Sequence, residues 1–299
     1  MNIFQRIFSI ENNKTHKIFN ILGIKLKFKN YRITKEDLSL IRDQLLTFCE
    51  EKEARTQEQL SREIWLSSQV SQLHSDTFKQ YKNINSGKDV VIMASGPSVN
   101  NFIPIKNAIY IAVNRSFKRK NIKFNYLFME DYHAVKDYID DAKDYDCVKF
   151  YGITNHVAIE NYRLNPIGDW LIPESISIEH NAKRFYSEAP WLANGIKPVV
   201  PFAYNLLAEP LYCYGSIMFP AIQFALWTNP KRIYIVGMDN TDTGYFDGNK
   251  QIMSISSEFI KENVLKLKKF ANTYYPKTEI ISVNPVGLKG VFKDIYTDK

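Results

Sequence analysis

Asn83-Ile84-Asn85-Ser86-Gly87-Lys88 is a turn-rich break, and beyond it short β-branched runs alternate with helix-patterned stretches to the end of the chain. That alternation restricts the fold to a mostly parallel sheet covered by helices, an α/β domain expected over residues 86 to 299. Strands are predicted at Asp89 to Met93, Ala108 to Val113, Tyr126 to Met129, Cys147 to Tyr151, Arg232 to Val236 and Glu279 to Val283. Helices are predicted near His133 to Asp144, Ser216 to Trp227 and Ser256 to Tyr275. Residues 155 to 212, rich in Pro, Asn and aromatics with weak periodicity, are expected to form a lid or substrate-facing insertion.

From Thr34 to about Tyr81 the chain is rich in Glu, Gln, Lys and Leu and has neither Pro nor Gly. Thr34-Lys35-Glu36-Asp37 offers an N-cap followed by acids, so a helical extension is expected over 34 to 85. Leu38, Ile41, Leu45 and Phe48, then Leu60, Ile64 and Leu73, form a stripe suited to packing on the body or to a homo-oligomer contact.

The net charge of +7 is concentrated at one end. Residues 1 to 35 hold eight Lys or Arg against one acid, Glu11, which accounts for the whole excess and leaves the remainder balanced. A neutral body argues against nucleic acid as the main partner. Residues 1 to 33 interleave these lysines with Ile, Leu and Phe, and two readings fit. One is an amphipathic segment lying on an anionic membrane surface. The other is an edge strand at Lys25-Leu26-Lys27-Phe28-Lys29 with one solvated face. No run of about 18 uncharged apolar residues exists, so no spanning helix is expected, and the first 30 residues lack the pattern of a signal peptide. Cys49, Cys147 and Cys213 have no metal-ligand spacing and cannot all pair, which fits a reducing cytoplasm. The expected location is the cytoplasm, with the first reading of residues 1 to 33 putting the protein peripherally on the inner face of the membrane.

Candidate site residues gather at strand ends. The first predicted strand runs into Ala94-Ser95-Gly96-Pro97-Ser98, where a glycine lets backbone N–H groups approach an anion and Ser98 can donate to phosphate. The second ends in Asn114-Arg115, an amide and a guanidinium at the edge where open parallel sheets bind ligands. The third ends in Glu130-Asp131-Tyr132-His133. Tyr212-Cys213-Tyr214-Gly215-Ser216 opens an apolar helix. Arg232 to Val236 then leads into Gly237-Met238-Asp239, where a carboxylate commonly accepts hydrogen bonds from ribose or a base amine. Thr241, Asp242 and Tyr245 follow in a polar loop.

In this order the segments resemble the bacterial sialyltransferases of glycosyltransferase family 42 and the related domain of flagellin-modifying nonulosonate transferases. The shared elements are Gly96-Pro97-Ser98, Asn114, Gly215-Ser216, Gly237-Met238-Asp239, Tyr245 and the closing stretch Leu267 to Phe292 with Asn284-Pro285. The resemblance implies a GT-A-like Rossmann variant and an inverting, metal-independent transfer of a sialic-acid-like sugar from a CMP-activated donor to a cell-surface glycan, with no cofactor. It implies that Gly96, Pro97, Ser98, Asn114, Gly215, Ser216, Gly237 and Asp239 hold the nucleotide, and that Tyr245 and Thr241 hold the phosphate; Arg115 joins the nucleotide-binding candidates by its place at the second strand's end, its alternative being a solvated charge at a helix start. The chain departs from the family at the catalytic histidine, which should follow the tyrosine loop, because it has no histidine beyond His180. The proton acceptor must then be another His or carboxylate, among His180, His133, Glu130, Asp131 and Asp247, with Asp131 and His180 favoured. Two rivals stay open. A related domain occurs in pterin pyrophosphokinases, where Glu130/Asp131 and Asp239/Asp242 would hold magnesium. The other is a nucleotide-binding partner protein without catalysis.

Overall fold

The computed structural model describes residues 8–12, 16–21, 24–29, 42, 43, 46, 57, 68–155, 171–189, 201–250 and 255–297. The chain divides into two units, Met1–Ser61 and Arg62–Lys299.

In the first unit β1 (Phe8–Asn12), β2 (His16–Ile21) and β3 (Ile24–Lys29) form an antiparallel sheet in that order. The stretch Lys25 to Lys29 is therefore an edge strand. Lys25, Lys27 and Lys29 pair with Asn20, Ile18 and His16, and alternation puts the three lysines at positions of one face. Like charges along an edge oppose pairing with another strand. Residues 42, 43, 46 and 57 are helical. Apart from Leu73, the apolar stripe between Leu38 and Leu73 lies outside the described residues.

The second unit is built on β4 (Asp89–Met93), β5 (Ile109–Val113), β6 (Tyr126–Met129), β7 (Val148–Asn155), β8 (Lys183–Glu188), β9 (Leu211–Tyr212), β10 (Arg232–Val236), β11 (Glu279–Val283) and β12 (Lys293–Ile295). These nine strands are all parallel, in the order β12-β11-β10-β4-β5-β6-β7-β8-β9. The helices are α1 (68–78), α2 (Tyr132–Val135), α3 (Glu174–Glu179), α4 (Met218–Trp227) and α5 (Ser257–Tyr274). Among the described residues no helix is long and apolar enough to cross a membrane.

Covered on both faces, the central strands read as continuous apolar runs rather than alternating ones. On one face Val90, Ile92, Ile111, Val113, Phe128 and Phe150 pack against α4 and α5. On the other Val91, Met93, Ala112, Leu127, Met129 and Val236 pack under Val99, Phe117, Val135 and Tyr138. All ten residues of α4 are buried, Pro220 sitting in its first turn, where a missing N–H costs nothing.

The α/β unit begins well before Ser86. Phe78 of α1 is fully buried, stacks on Phe150 at 5.6 Å and accepts a hydrogen bond from Trp227 Nε1 on its carbonyl at 3.2 Å. Residues 155 to 212 also do more than cover the sheet, since they supply α3, β8 and β9, with Phe185, Phe202 and Leu206 in the core. Within that stretch 156–170 and 190–200 lie outside the described residues.

Candidate functional site

Chain order reverses once across the sheet: from β4 it steps one way to β9, then returns to place β10 on the other side of β4. Such a switch point opens a crevice at the carboxyl ends of the two strands, the place where open α/β sheets take ligands. Here the switch point is spanned by Gly96-Pro97-Ser98 after β4 and Gly237-Met238-Asp239 after β10. Met93 and Val236 are in register, and pairing continues past both strands through Ala94 N to Val236 O and Gly96 N to Gly237 O, each 2.8 Å.

The two turns interlock. A Cβ on Gly96 would lie 2.5 Å from both Asp239 Cγ and the Gly237 carbonyl oxygen. Gly237 has φ +74°, and a Cβ there would lie 2.3 Å from Val99 Cγ2 and 2.9 Å from the Ala94 carbonyl oxygen. Glycine is needed at 96 for space and at 237 for both space and conformation. Asp239, 6% exposed, accepts from the Ser98 backbone N–H at 2.9 Å and from the Ser98 hydroxyl. The pair expected to reach outward to ribose and phosphate thus holds itself together, and Asp239 fixes the 3-10 turn Pro97–Asn101 on which the crevice wall is built. Gly96→Ala should leave the sheet intact while weakening nucleotide binding at least about tenfold, since the added carbon must displace backbone or a buried carboxylate. Calorimetric titration with CMP, beside a circular-dichroism melt, measures both effects.

The β5 end forms the next wall. Ser116, fully buried, accepts from Val113 N at 2.9 Å and donates to Met93 O at 2.7 Å, tying β5 to β4. Asn114 stands at φ +47°, and its Oδ1 is buried and accepts no hydrogen bond among the described residues. An unpaired buried acceptor is costly, so this oxygen invites a donor such as a base amine or ribose hydroxyl.

Arg115 lies against the loop after β10. Its guanidinium is 4.2 Å from the centre of the Tyr245 ring and 5.0 Å from that of Tyr138, and 3.1 Å from Asp247 Oδ2. Burial pushes the Asp247 carboxyl up, but hydrogen bonds from Asn249 and the Arg115 charge outweigh it and hold the group below its ordinary value. Phe246 N donates to Ser95 O at 2.8 Å and Asn100 Nδ2 to Phe246 O at 3.1 Å, so the loop is strapped over the Gly-Pro-Ser turn. Tyr245 therefore stands at the rim beneath Arg115, while Thr241 bonds Thr243 at 2.7 Å within the loop. Asp247 and Tyr138, the partners of Arg115, come from segments that sequence spacing does not bring together.

Gly215, at φ +78°, packs on Ile255, and Ser216 Oγ accepts from Met218 N, the first residue of α4, at 3.3 Å. Glu130, 4% exposed, crosses β7 where Gly152 leaves room, a Cβ there lying 3.0 Å from Glu130 Cγ. Its carboxyl bonds the Cys213 thiol, which burial foremost and then the Glu130 charge push well above its ordinary value. Glu130 thereby braces the turn that carries Gly215 and Ser216. Asp131 follows β6 at the same rim, at φ +66° and ψ +99°.

His180 does not join these residues. It precedes β8 and so lies toward the opposite end of the strands, 2% exposed, with Nδ1 2.8 Å from the Tyr151 hydroxyl. Burial lowers its pKa, and the ring serves as a core hydrogen-bonding group. Among the described residues no three His, Cys, Asp or Glu side chains form a group able to hold a metal ion.

No protein-family model and no curated protein matches the chain. Two solved structures of the sialyltransferase CstII from Campylobacter jejuni are similar in fold, one in complex with the substrate analogue CMP-3FNeuAc and one with cytidine-5'-monophosphate. The first covers 65% of this chain and 80% of its own at 10% identity, the second 66% and 80% at 13%, both with a TM-score of 0.33. The α/β assignment rests on this chain's own strand order and register.

Proposed function

We propose that the chain is a glycosyltransferase that moves a sialic-acid-like nonulosonate from a CMP-activated donor to a cell-surface glycan, inverting the anomeric centre and needing no metal. The observation that carries this reading is the switch point at the ends of β4 and β10, where two interlocked glycine turns meet, with Asn114 at the end of neighbouring β5 holding a buried Oδ1 that accepts no hydrogen bond among the described residues. Nucleotides bind at such switch points because backbone N–H groups and a fixed polar edge meet there without side-chain obstruction. The cytidine preference rests on the residue pattern Gly96-Pro97-Ser98, Asn114, Gly215-Ser216 and Gly237-Met238-Asp239. In this reading Arg115 and Tyr245 meet the phosphate, and the lysine-bearing N-terminal sheet keeps the enzyme at the inner face of the membrane, near its acceptor.

Calorimetric titration with CMP, CDP, UDP, GDP and ATP, with and without magnesium, tests the proposal. Selective, metal-independent binding of CMP is the expected result. A preference for ATP or GDP that requires magnesium would replace transfer of a sugar by transfer of pyrophosphate.

A further inference from the structure

Arg115, which follows Asn114 at the end of β5, is enclosed by side chains from distant segments. Its guanidinium lies over the Tyr245 ring at 4.2 Å and over the Tyr138 ring at 5.0 Å, and Nη1 donates to Asp247 Oδ2 at 3.1 Å. The Arg115 side chain is 16% exposed and that of Asp247 24%. A guanidinium withdrawn from water to this degree is costly without a counter-charge, and Asp247 supplies one from within the chain.

The carboxylate is delivered by a turn that holds its own shape. Tyr245 N donates to Asn249 O at 2.9 Å and Gly248 N to Tyr245 O at 3.0 Å, with Gly244 at φ +88° and Gly248 at φ +82°. Asn249 N also donates to Asp247 Oδ1, at 3.2 Å. Phe246, between Tyr245 and Asp247, ties the turn to Ser95 and Asn100, so the pair of Arg115 and Asp247 stands beside Gly96-Pro97-Ser98 at the switch point. Exchange of partners there needs only side chains to move. Asp247 keeps Asn249 N when it lets go of Arg115, and water takes up the freed oxygen. A guanidinium meets carboxylate and phosphate with the same planar fork, and with two rings over it Arg115 has little room for both at once.

We infer that Asp247 is an internal stand-in for the phosphate of the nucleotide: it occupies the Arg115 guanidinium until the phosphate displaces it, and takes it back as the nucleotide leaves. The inference rests on the glycosyltransferase reading, in which Arg115 meets the phosphate of the donor. Asp247 then determines how loosely the nucleotide is held. Its carboxylate opposes every phosphate-bearing ligand of the site and leaves a nucleoside without phosphate unaffected.

Calorimetric titration of the full chain with CMP and with cytidine tests this. Asp247→Asn keeps the size of the side chain and an oxygen for Asn249 N, and should bind CMP about fivefold more tightly with cytidine affinity within about twofold of the parent. Asp247→Ala should give the same gain. Arg115→Gln should bind CMP about tenfold more weakly, again with cytidine nearly unchanged. In the Arg115→Gln background Asp247→Asn should alter CMP affinity less than about twofold, because the competition needs the guanidinium. A gain that survives in that background, or one shared by cytidine, would come from removing a negative charge near the nucleotide at large and overturns the inference. Weaker or unchanged CMP binding by both Asp247 variants overturns it too, the carboxylate then bracing Arg115 or standing apart from the phosphate. A parent that binds CMP no better than Arg115→Gln does overturns the inference and leaves the glycosyltransferase reading in place. A parent that does not bind CMP overturns that reading, and the inference falls with it.

Discussion

Replacing Gln223 by leucine should cost about 4 kcal/mol, a large share of the stability of an ordinary domain. Gln223 is fully buried in the middle of α4, yet its amide is satisfied on every side. Oε1 accepts from Ala203 N at 2.9 Å and Tyr212 N at 3.1 Å, while Nε2 donates to Tyr212 O at 2.8 Å and Phe219 O at 3.0 Å. The side chain pairs with Tyr212 as a neighbouring strand would, closing the exposed edge of two-residue β9. Leucine would regain some apolar burial but leave Ala203 N, Tyr212 N and Tyr212 O without that partner, at about 1–3 kcal/mol each. Urea unfolding of Gln223→Leu beside Gln223→Met measures it. Both should unfold at much lower urea than the parent, and a midpoint within experimental error of it would mean that β9 closes its edge some other way. Because β9 leads into Cys213 and Gly215-Ser216, any surviving Gln223→Leu should also bind nucleotide more weakly.

Gln223 shows what sequence patterning could and could not deliver. Runs such as Val90-Val91-Ile92-Met93 declared their strands because consecutive apolar residues sit between breakers, and β4, β6, β10 and β11 begin and end where the pattern put them. Strands β8, β9 and β12 escaped it. Lys183–Glu188 mixes charge and aromatics because it faces α1 and the Glu174 carboxylate, which pairs with Arg184 at 3.1 Å, and β9 is only two residues long. The expected helix from His133 to Asp144 condenses to α2 and a 3-10 turn at Asp140–Ala142. The start of the domain was obscured for another reason. Helix α1 looks like the helical extension before it, and it is joined to the sheet by partners far along the chain, Phe150, Phe224 and Trp227 among them.

The same contrast holds for the site. Gly96, Ser98, Asn114, Asp131, Gly237 and Asp239 were legible as candidates because each lies in the turn after a strand, and parallel strands deliver those turns to one rim. What each does there was not legible. That Ser98 spends its hydroxyl on Asp239, that Arg115 answers to Asp247, and that Glu130 reaches Cys213 over Gly152 are facts of contact between residues 83 to 141 positions apart. His180 misled for the converse reason, since a histidine in a weakly patterned stretch reads as available, whereas burial and Tyr151 commit it to the core.

A second large effect is expected with acid and comes from His74. This residue of α1 is fully buried, with Nδ1 2.8 Å from the Leu206 carbonyl oxygen and Nε2 accepting from Tyr186 N at 2.8 Å. One nitrogen must carry a proton and the other must not, so the neutral ring alone fits. Burial, its largest cause, lowers the pKa from 6.5 to about 4, against the opposing pull of the Leu206 and Glu209 backbone. Between those values the unfolded chain binds a proton that the folded chain refuses, so the unfolded state gains as pH falls. The contribution is complete above pH 6.5 and is lost on descending toward pH 4, about 2 kcal/mol of it between pH 7 and pH 5. His180, lowered by burial as well, adds in the same direction. Urea unfolding at pH 7 and pH 5 on the parent and on His74→Gln separates this loss from that of the carboxylates. The variant should be less stable at pH 7, having lost its fit to Leu206 and Tyr186, but about 2 kcal/mol less sensitive to the change in pH. Equal pH sensitivity in the two proteins would mean that His74 takes up its proton without opening the contact between α1 and β8.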